Sequence, residues 1–150
     1  TPPGQTASAE NVDAKAEAEA QRTLQDLGAQ RTPDGWVLTL PETVLFDYNE
    51  AAIKPDAATK LGEVAELLAY FDRAQIAVQG HTDSDGSADH NKYLSQRRAQ
   101  AVADALSGQG VASSRMAVEG FGFDSPVASN ADDAGKAKNR RVEIVLRENA

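Results

Sequence analysis

A chain of 150 residues with 41% hydrophobic side chains has apolar material for one domain and perhaps one appendage. The formal net charge of −8 argues against non-specific nucleic-acid binding, and the absence of cysteine excludes disulfides and thiolate metal sites. No run approaches the roughly 18 apolar residues of a membrane span and no signal peptide is visible; the chain begins at Thr1, which reads as a mature form with an upstream signal or anchor removed.

Thr1 to Ala9 is rich in Pro, Gly, Ser and Thr, the composition of a disordered tail. Ala9 to Gln30 favours helix, but Val12, Leu24 and Leu27 are its sizeable apolar groups. It is expected to be a helical spacer with a weak docking face, ending near Gly28, with a frayed tail as the alternative. A division follows, with a tail and spacer over 1–31 and a globular domain over 32–150. Pro33-Asp34-Gly35 signals a turn, Trp36 to Leu40 a strand, and Val44 to Asn49 a second short extended run. From Pro55 the period becomes helical, with Leu61, Val64, Ala65, Leu68 and Phe71 on one face. Ile76 to Gly80 alternates as a half-buried strand, and Asp89 to Ser107 is helical again until Gly108 and Gly110 stop it. Arg115 to Gly122 is a strand, Phe123 to Asn139 a polar loop, and Arg141 to Arg147 the last strand. The order βαβαββ predicts an α+β fold, with two main helices on one face of a mixed sheet and an N-terminal helical extension.

The polar stretch Gly80 to Ala99, GHTDSDGSADHNKYLSQRRA, joins a strand to a helix. On a helical wheel of about 100° per residue, Arg98 and Asn91 fall in the apolar stripe with Leu94, Val102 and Leu106, whereas Arg97 points to solvent. An inward guanidinium needs an acceptor, and Asp83 at the preceding strand end is the expected one. Two outcomes stay open: an internal ion pair that ties strand to helix, or a shared ligand. In the second, carboxylate and guanidinium form a clamp for a zwitterion such as an amino-acid head group.

Other chemistries fit less well. Asp83-x-Asp85-Gly86 hints at a calcium loop, but Ala88 and Leu94 stand where Gly and Glu belong. His81, His90 and Asp83 lack a third imidazole for zinc, and His81 is expected to be a hydrogen-bonded structural residue. No G-x-S-x-G elbow supports a hydrolytic triad, and Gly120-Phe121-Gly122 reads as a strand end or bulge. Asn139-Arg140-Arg141 is a short basic cluster, either surface or a second cation beside a carboxylate ligand.

LFDYNEAAIKP, GHTDSDGSADHNKYLSQRRAQAV, GFGFDSPVASN and NRRVEI, in this order, resemble the OmpA C-terminal-like peptidoglycan-binding family, over about Val37 to Leu146. The lead-in resembles its envelope lipoproteins most. The resemblance implies non-covalent binding of the meso-diaminopimelate of the peptidoglycan stem peptide, with Asp83 on the ammonium and Arg98 on the carboxylate. Asn91, Asn49 and Arg140 are the implied supporting contacts, and Phe46, Asp47, Thr82 and Leu94 shape the pocket. Asp85 and His90 depart from the family pattern at the rim. No catalytic residue, metal or cofactor is implied. The expected setting is the periplasm, attached to the outer membrane through an anchor upstream of this chain, with envelope proteins as further partners. The alternative is an interaction or oligomerisation module without wall binding, built on the N-terminal helix.

Overall fold

The computed structural model describes residues 17–47 and 49–147. The expected tail from Thr1 to Ala9 and the beginning of the expected helix, with Val12, lie outside the described residues. Helix α1 covers residues 17–26 and is left through Gly28, whose φ of 68° suits glycine. Strands β1 (Gln30–Arg31) and β2 (Gly35–Pro41) form a hairpin around the expected turn, closed by reciprocal backbone bonds between Thr32 and Gly35. Then follow α2 (Glu42–Leu45), α3 (Ala57–Tyr70), β3 (Gln75–His81) and α4 (Ala88–Gly108). A 3₁₀ turn (Ser113–Arg115) leads to β4 (Met116–Gly120), α5 (Asp133–Asn139) and β5 (Arg141–Arg147).

The sheet order is β1-β2-β5-β3-β4. Strands β3 and β4 are parallel with α4 as their crossover, and β5 lies antiparallel to both β2 and β3. Alternation along the strands puts Leu38, Leu40, Ile76, Val78, Val142, Ile144 and Leu146 on one face. There they join Leu61, Val64 and Leu68 of α3 and Ala99, Val102 and Leu106 of α4 in one core. Ala20, Leu24 and Leu27, of α1 and the turn after it, are buried in the same cluster. The expected α+β arrangement is therefore the fold.

Two local expectations are corrected. Val44 to Asn49 is not an extended run: β2 loses its partner where β5 begins, at the Pro41–Arg141 pair, and the chain turns into α2, with Phe46 N–H donating to Glu42 O at 2.8 Å. The polar loop from Phe123 to Asn139 ends in helix α5. Asp132 caps it by accepting from Gly135 N–H at 2.7 Å, and Asn139 is fully buried at its end. Its stability is polar, so no apolar period announces it.

Helix α4 lies directly on the strand ends because Gly80 and Gly120 have no side chain there. A Cβ on Gly80 would stand 2.1 Å from Ser95 O, and one on Gly120 2.4 Å from Gln96 N. The backbone itself is the obstacle, so Gly80→Ala is expected to cost at least about 1–3 kcal/mol through overpacking. Gly108→Ala, with open space around its Cβ, is expected to be neutral or stabilising by up to about 1 kcal/mol. Urea unfolding of both variants checks the contrast.

Candidate ligand-binding cleft

The close packing of α4 on β3 and β4 brings the start of the helix beside the end of β3. A cleft of about 490 Å³ opens there. Of the residues expected from the sequence, Asp83, Arg98, Asn91, Asn49, Arg140, Thr82 and Leu94 line it. Glu42, Asp85, Gly86 and His90 complete the wall. Phe46 does not line it; its ring instead stands 4.9 Å from the Arg98 guanidinium. Asp47 does not line it. The Asp47 carbonyl instead accepts from Glu50 N–H at 3.1 Å, in the turn where Asn49 takes a φ of 60°.

Arg98 is 3% exposed, whereas Arg97 is exposed and stands over the Tyr93 ring, so the two adjacent arginines part as the helical wheel predicts. The expected Asp83–Arg98 contact does not form. Arg98 Nε donates to Glu50 O at 2.8 Å, and Nη1 donates to Glu42 Oε2 at 2.5 Å. Nη2 is buried and has no partner among the described residues. Asp83 turns the other way: its Oδ2 accepts from Arg140 Nη1 at 2.5 Å, and its Oδ1 accepts from Asp85 N–H at 3.0 Å. Glu42 links the two pairs, since its Oε1 is 3.3 Å from Arg140 Nε. Four charges thus alternate along the cleft as Arg98, Glu42, Arg140 and Asp83. Burial alone would lower the Arg140 pKa, but the Asp83 hydrogen bond and the charges of Glu42, Asp83 and Asp85 outweigh it and raise it.

Glu42 is the site residue that sequence reasoning missed. Its partner lies 56 residues away, and the signal for it was indirect: a buried guanidinium demands an acid, and Asp83 was not the only one available. The fold supplies Glu42 because Pro41 pairs with Arg141 at the end of the sheet, and Glu42 N–H donates to Arg140 O at 3.0 Å. The backbones of both bridging residues are therefore fixed side by side. Arg140 is held from the other side by Asn139. The Asn139 Oδ1 accepts from Val127 and Ala128 N–H, at 2.8 and 3.0 Å, and its Nδ2 donates to Ala128 O and Asn130 Oδ1, both at 2.9 Å. On α4, Ser87 caps the helix by accepting from His90 N–H, and Asn91 Nδ2 donates to Asp85 O at 2.7 Å, which folds the Asp83–Gly86 turn against the helix.

His81 and His90 do not meet. His90 is exposed in the first turn of α4 at the cleft wall. His81 closes β3, is buried, and stacks on Phe121 with ring centroids 5.2 Å apart. The expected hydrogen bond is absent: neither ring nitrogen has a partner among the described residues, and stacking and burial hold the side chain instead. Among the described residues no three His, Cys, Asp or Glu side chains converge to hold a metal ion.

The sheet, the helix on it and the alternating cleft can now be set beside known proteins. The model described as the OmpA family matches residues 45–140. The chain belongs to the OmpA family. The probable lipoprotein YiaD of Escherichia coli (strain K12) is 46% identical over 116 residues, covering 77% of this chain and 53% of YiaD. The peptidoglycan-binding protein ArfA of Mycobacterium tuberculosis (strain H37Rv) is 42% identical over 103 residues, covering 69% of this chain and 32% of ArfA. Among solved structures, the cell wall anchor of the T6SS from Pseudomonas aeruginosa superposes with a TM-score of 0.75 at 34% identity, covering 84% of this chain and 94% of that one. This OmpA-family chain thus spans about half the length of YiaD and a third of ArfA.

The buried His81 gives this OmpA-family domain a measurable acid response. Burial first, and the Arg141 charge second, lower its pKa from the ordinary 6.5 to about 4, against a partial opposite pull from Glu143. Between these values the unfolded chain binds a proton that the folded chain does not. The stability from a neutral His81 is therefore complete above pH 6.5 and is lost as pH falls towards 4, by on the order of 3 kcal/mol. Urea unfolding at pH 7 and pH 4.5 should show a smaller loss for His81→Phe, which keeps the stacked ring, than for the wild type.

Proposed function

We propose that the cleft binds peptidoglycan non-covalently through the meso-diaminopimelate of its stem peptide. The domain thereby anchors the outer membrane, or an envelope protein, to the wall. The observation that carries this reading is that Asp83 and Arg98 stand as opposite charges on one cleft, each with a different partner, and that Arg98 Nη2 lacks a partner among the described residues. An incoming carboxylate supplies the acceptor that Nη2 lacks, and an ammonium adds to the lone pairs that Asp83 leaves open. Arg140, Asn91 and Asn49 flank these two seats and Leu94 offers an apolar contact to the methylenes between the two ends of diaminopimelate. The peptidoglycan-binding protein ArfA and the T6SS cell wall anchor, similar to this chain in sequence or fold, support a wall ligand.

Binding, rather than catalysis, suits this donor set. The charges of Arg98 and Arg140 are matched by Glu42 and Asp83, which favours holding a charged ligand over activating a water molecule. The similarity to the probable lipoprotein YiaD supports a place at the cell envelope.

Co-sedimentation with purified sacculi tests the assignment. Asp83→Ala and Arg98→Ala are each expected to weaken binding about tenfold or more, the scale of a lost charged hydrogen bond. Arg98→Lys keeps the charge but loses the planar fork, and should also bind less. Undiminished sedimentation of both folded alanine variants would remove these residues from the site.

A further inference from the structure

Arg98 can grip a carboxylate with two donors along either edge of its guanidinium, Nε with Nη2 or Nη1 with Nη2. In this structure both edges are half taken. Nε is bound to the Glu50 carbonyl, a backbone group, and Nη1 to the Glu42 carboxylate, a side chain. The shared Nη2 is shut off from solvent. A ligand carboxylate therefore obtains a two-point contact only if a neighbour moves, and Glu42 is the neighbour able to move. It already has a second cation within reach, with Oε1 3.3 Å from Arg140 Nε. Arg140 is a third exposed and spends its Nη1 on Asp83, the acid that would receive a ligand ammonium.

We propose that Glu42 is an internal stand-in for the ligand carboxylate, displaced from Arg98 onto Arg140 when a zwitterion binds. The inference rests on the reading of the cleft as a diaminopimelate site and assigns a specificity role within it. The exchange balances its charges. The ligand carboxylate replaces Glu42 on Arg98, the ligand ammonium replaces Arg140 on Asp83, and the two displaced groups, Glu42 and Arg140, pair with each other. The charges in the cleft stay matched at the end, whereas one would lack a counter-charge if the ligand carried only one of the two. Glu42 thus sets a threshold that favours a head group bearing both ammonium and carboxylate. It also keeps the buried guanidinium neutralised while the cleft is empty.

Calorimetric titration with free meso-diaminopimelate tests the exchange, on the wild type, Glu42→Gln, Arg140→Gln and the double variant. Glu42→Gln removes the competing charge and is expected to tighten binding by roughly tenfold. Glu42→Asp, which withdraws the carboxylate by one methylene, is expected to act in the same direction and carries the test if Glu42→Gln fails to fold. Arg140→Gln removes both the receiver of the displaced Glu42 and the competitor of the ammonium on Asp83, so it should cost clearly more in the wild type than in the Glu42→Gln background, where no displaced carboxylate needs receiving. Wild-type binding that is unchanged or weakened by both Glu42 substitutions would overturn the stand-in role. An equal cost of Arg140→Gln in both backgrounds would overturn the exchange. Binding by Glu42→Gln where the wild type gives none would support the stand-in. No binding by the wild type or any variant would instead refute the diaminopimelate reading, and the inference with it.

Discussion

A guanidinium buried to 3% exposure must be neutralised where it stands, and much of the cleft is arranged around that demand at Arg98. Its side chain is fixed on three sides, by the Glu42 carboxylate, the Glu50 carbonyl and the face of Phe46. Glu42 then reaches Arg140, and Arg140 reaches Asp83. The four groups come from α2, the end of β3, α4 and the start of β5, so one chain of charges joins elements far apart in sequence. A removed member leaves a neighbour without its partner in a partly desolvated place, where an unpaired charge is costly.

The scaffold makes this chain of charges reproducible. Gly80 and Gly120 let α4 rest on the strand ends, which sets how deep Arg98 sits. The Pro41–Arg141 pair ends the β2–β5 ladder and places Glu42 beside Arg140. Asn139 closes the 123–139 segment through four hydrogen bonds, and Arg141 adds a bond from Nη2 to Ser125 O at 3.0 Å. A segment with hardly any buried apolar side chains is thus held by one fully buried amide, and Arg140 emerges from it in a defined direction. The site is built on element ends, where backbone position is set by the sheet and side chains are free to meet.

Strong periodicity is what made parts of this legible in the sequence. The alternation in Ile76–Gly80 and Arg141–Arg147 and the helical stripe of α4 were enough for the α+β order, and the wheel separated Arg98 from Arg97. The ordered motifs marked Asp83, Asn91, Asn49 and Arg140 as cleft residues, and the structure brings them together. What escaped was non-periodic or long-range. Helix α2 is a single turn, and α5 buries only Gly135 and Asn139, so neither carries a hydrophobic period. The choice of Glu42 over Asp83 as the Arg98 partner depends on how the end of β2 lies against α4, which no local pattern encodes. His81 was expected to hydrogen-bond; its stacking on Phe121 depends on the register of β3 and the segment after β4, a tertiary matter.

The role of the cleft turns on where a zwitterion sits. A crystal structure of the chain with meso-diaminopimelate bound tests this most directly. A ligand carboxylate is expected on the Arg98 guanidinium and the neighbouring ammonium on Asp83, within one cleft lined by Asn49, Asn91 and Leu94. Ordered diaminopimelate that leaves Arg98 and Asp83 untouched, or that lies outside this cleft, would contradict this placement.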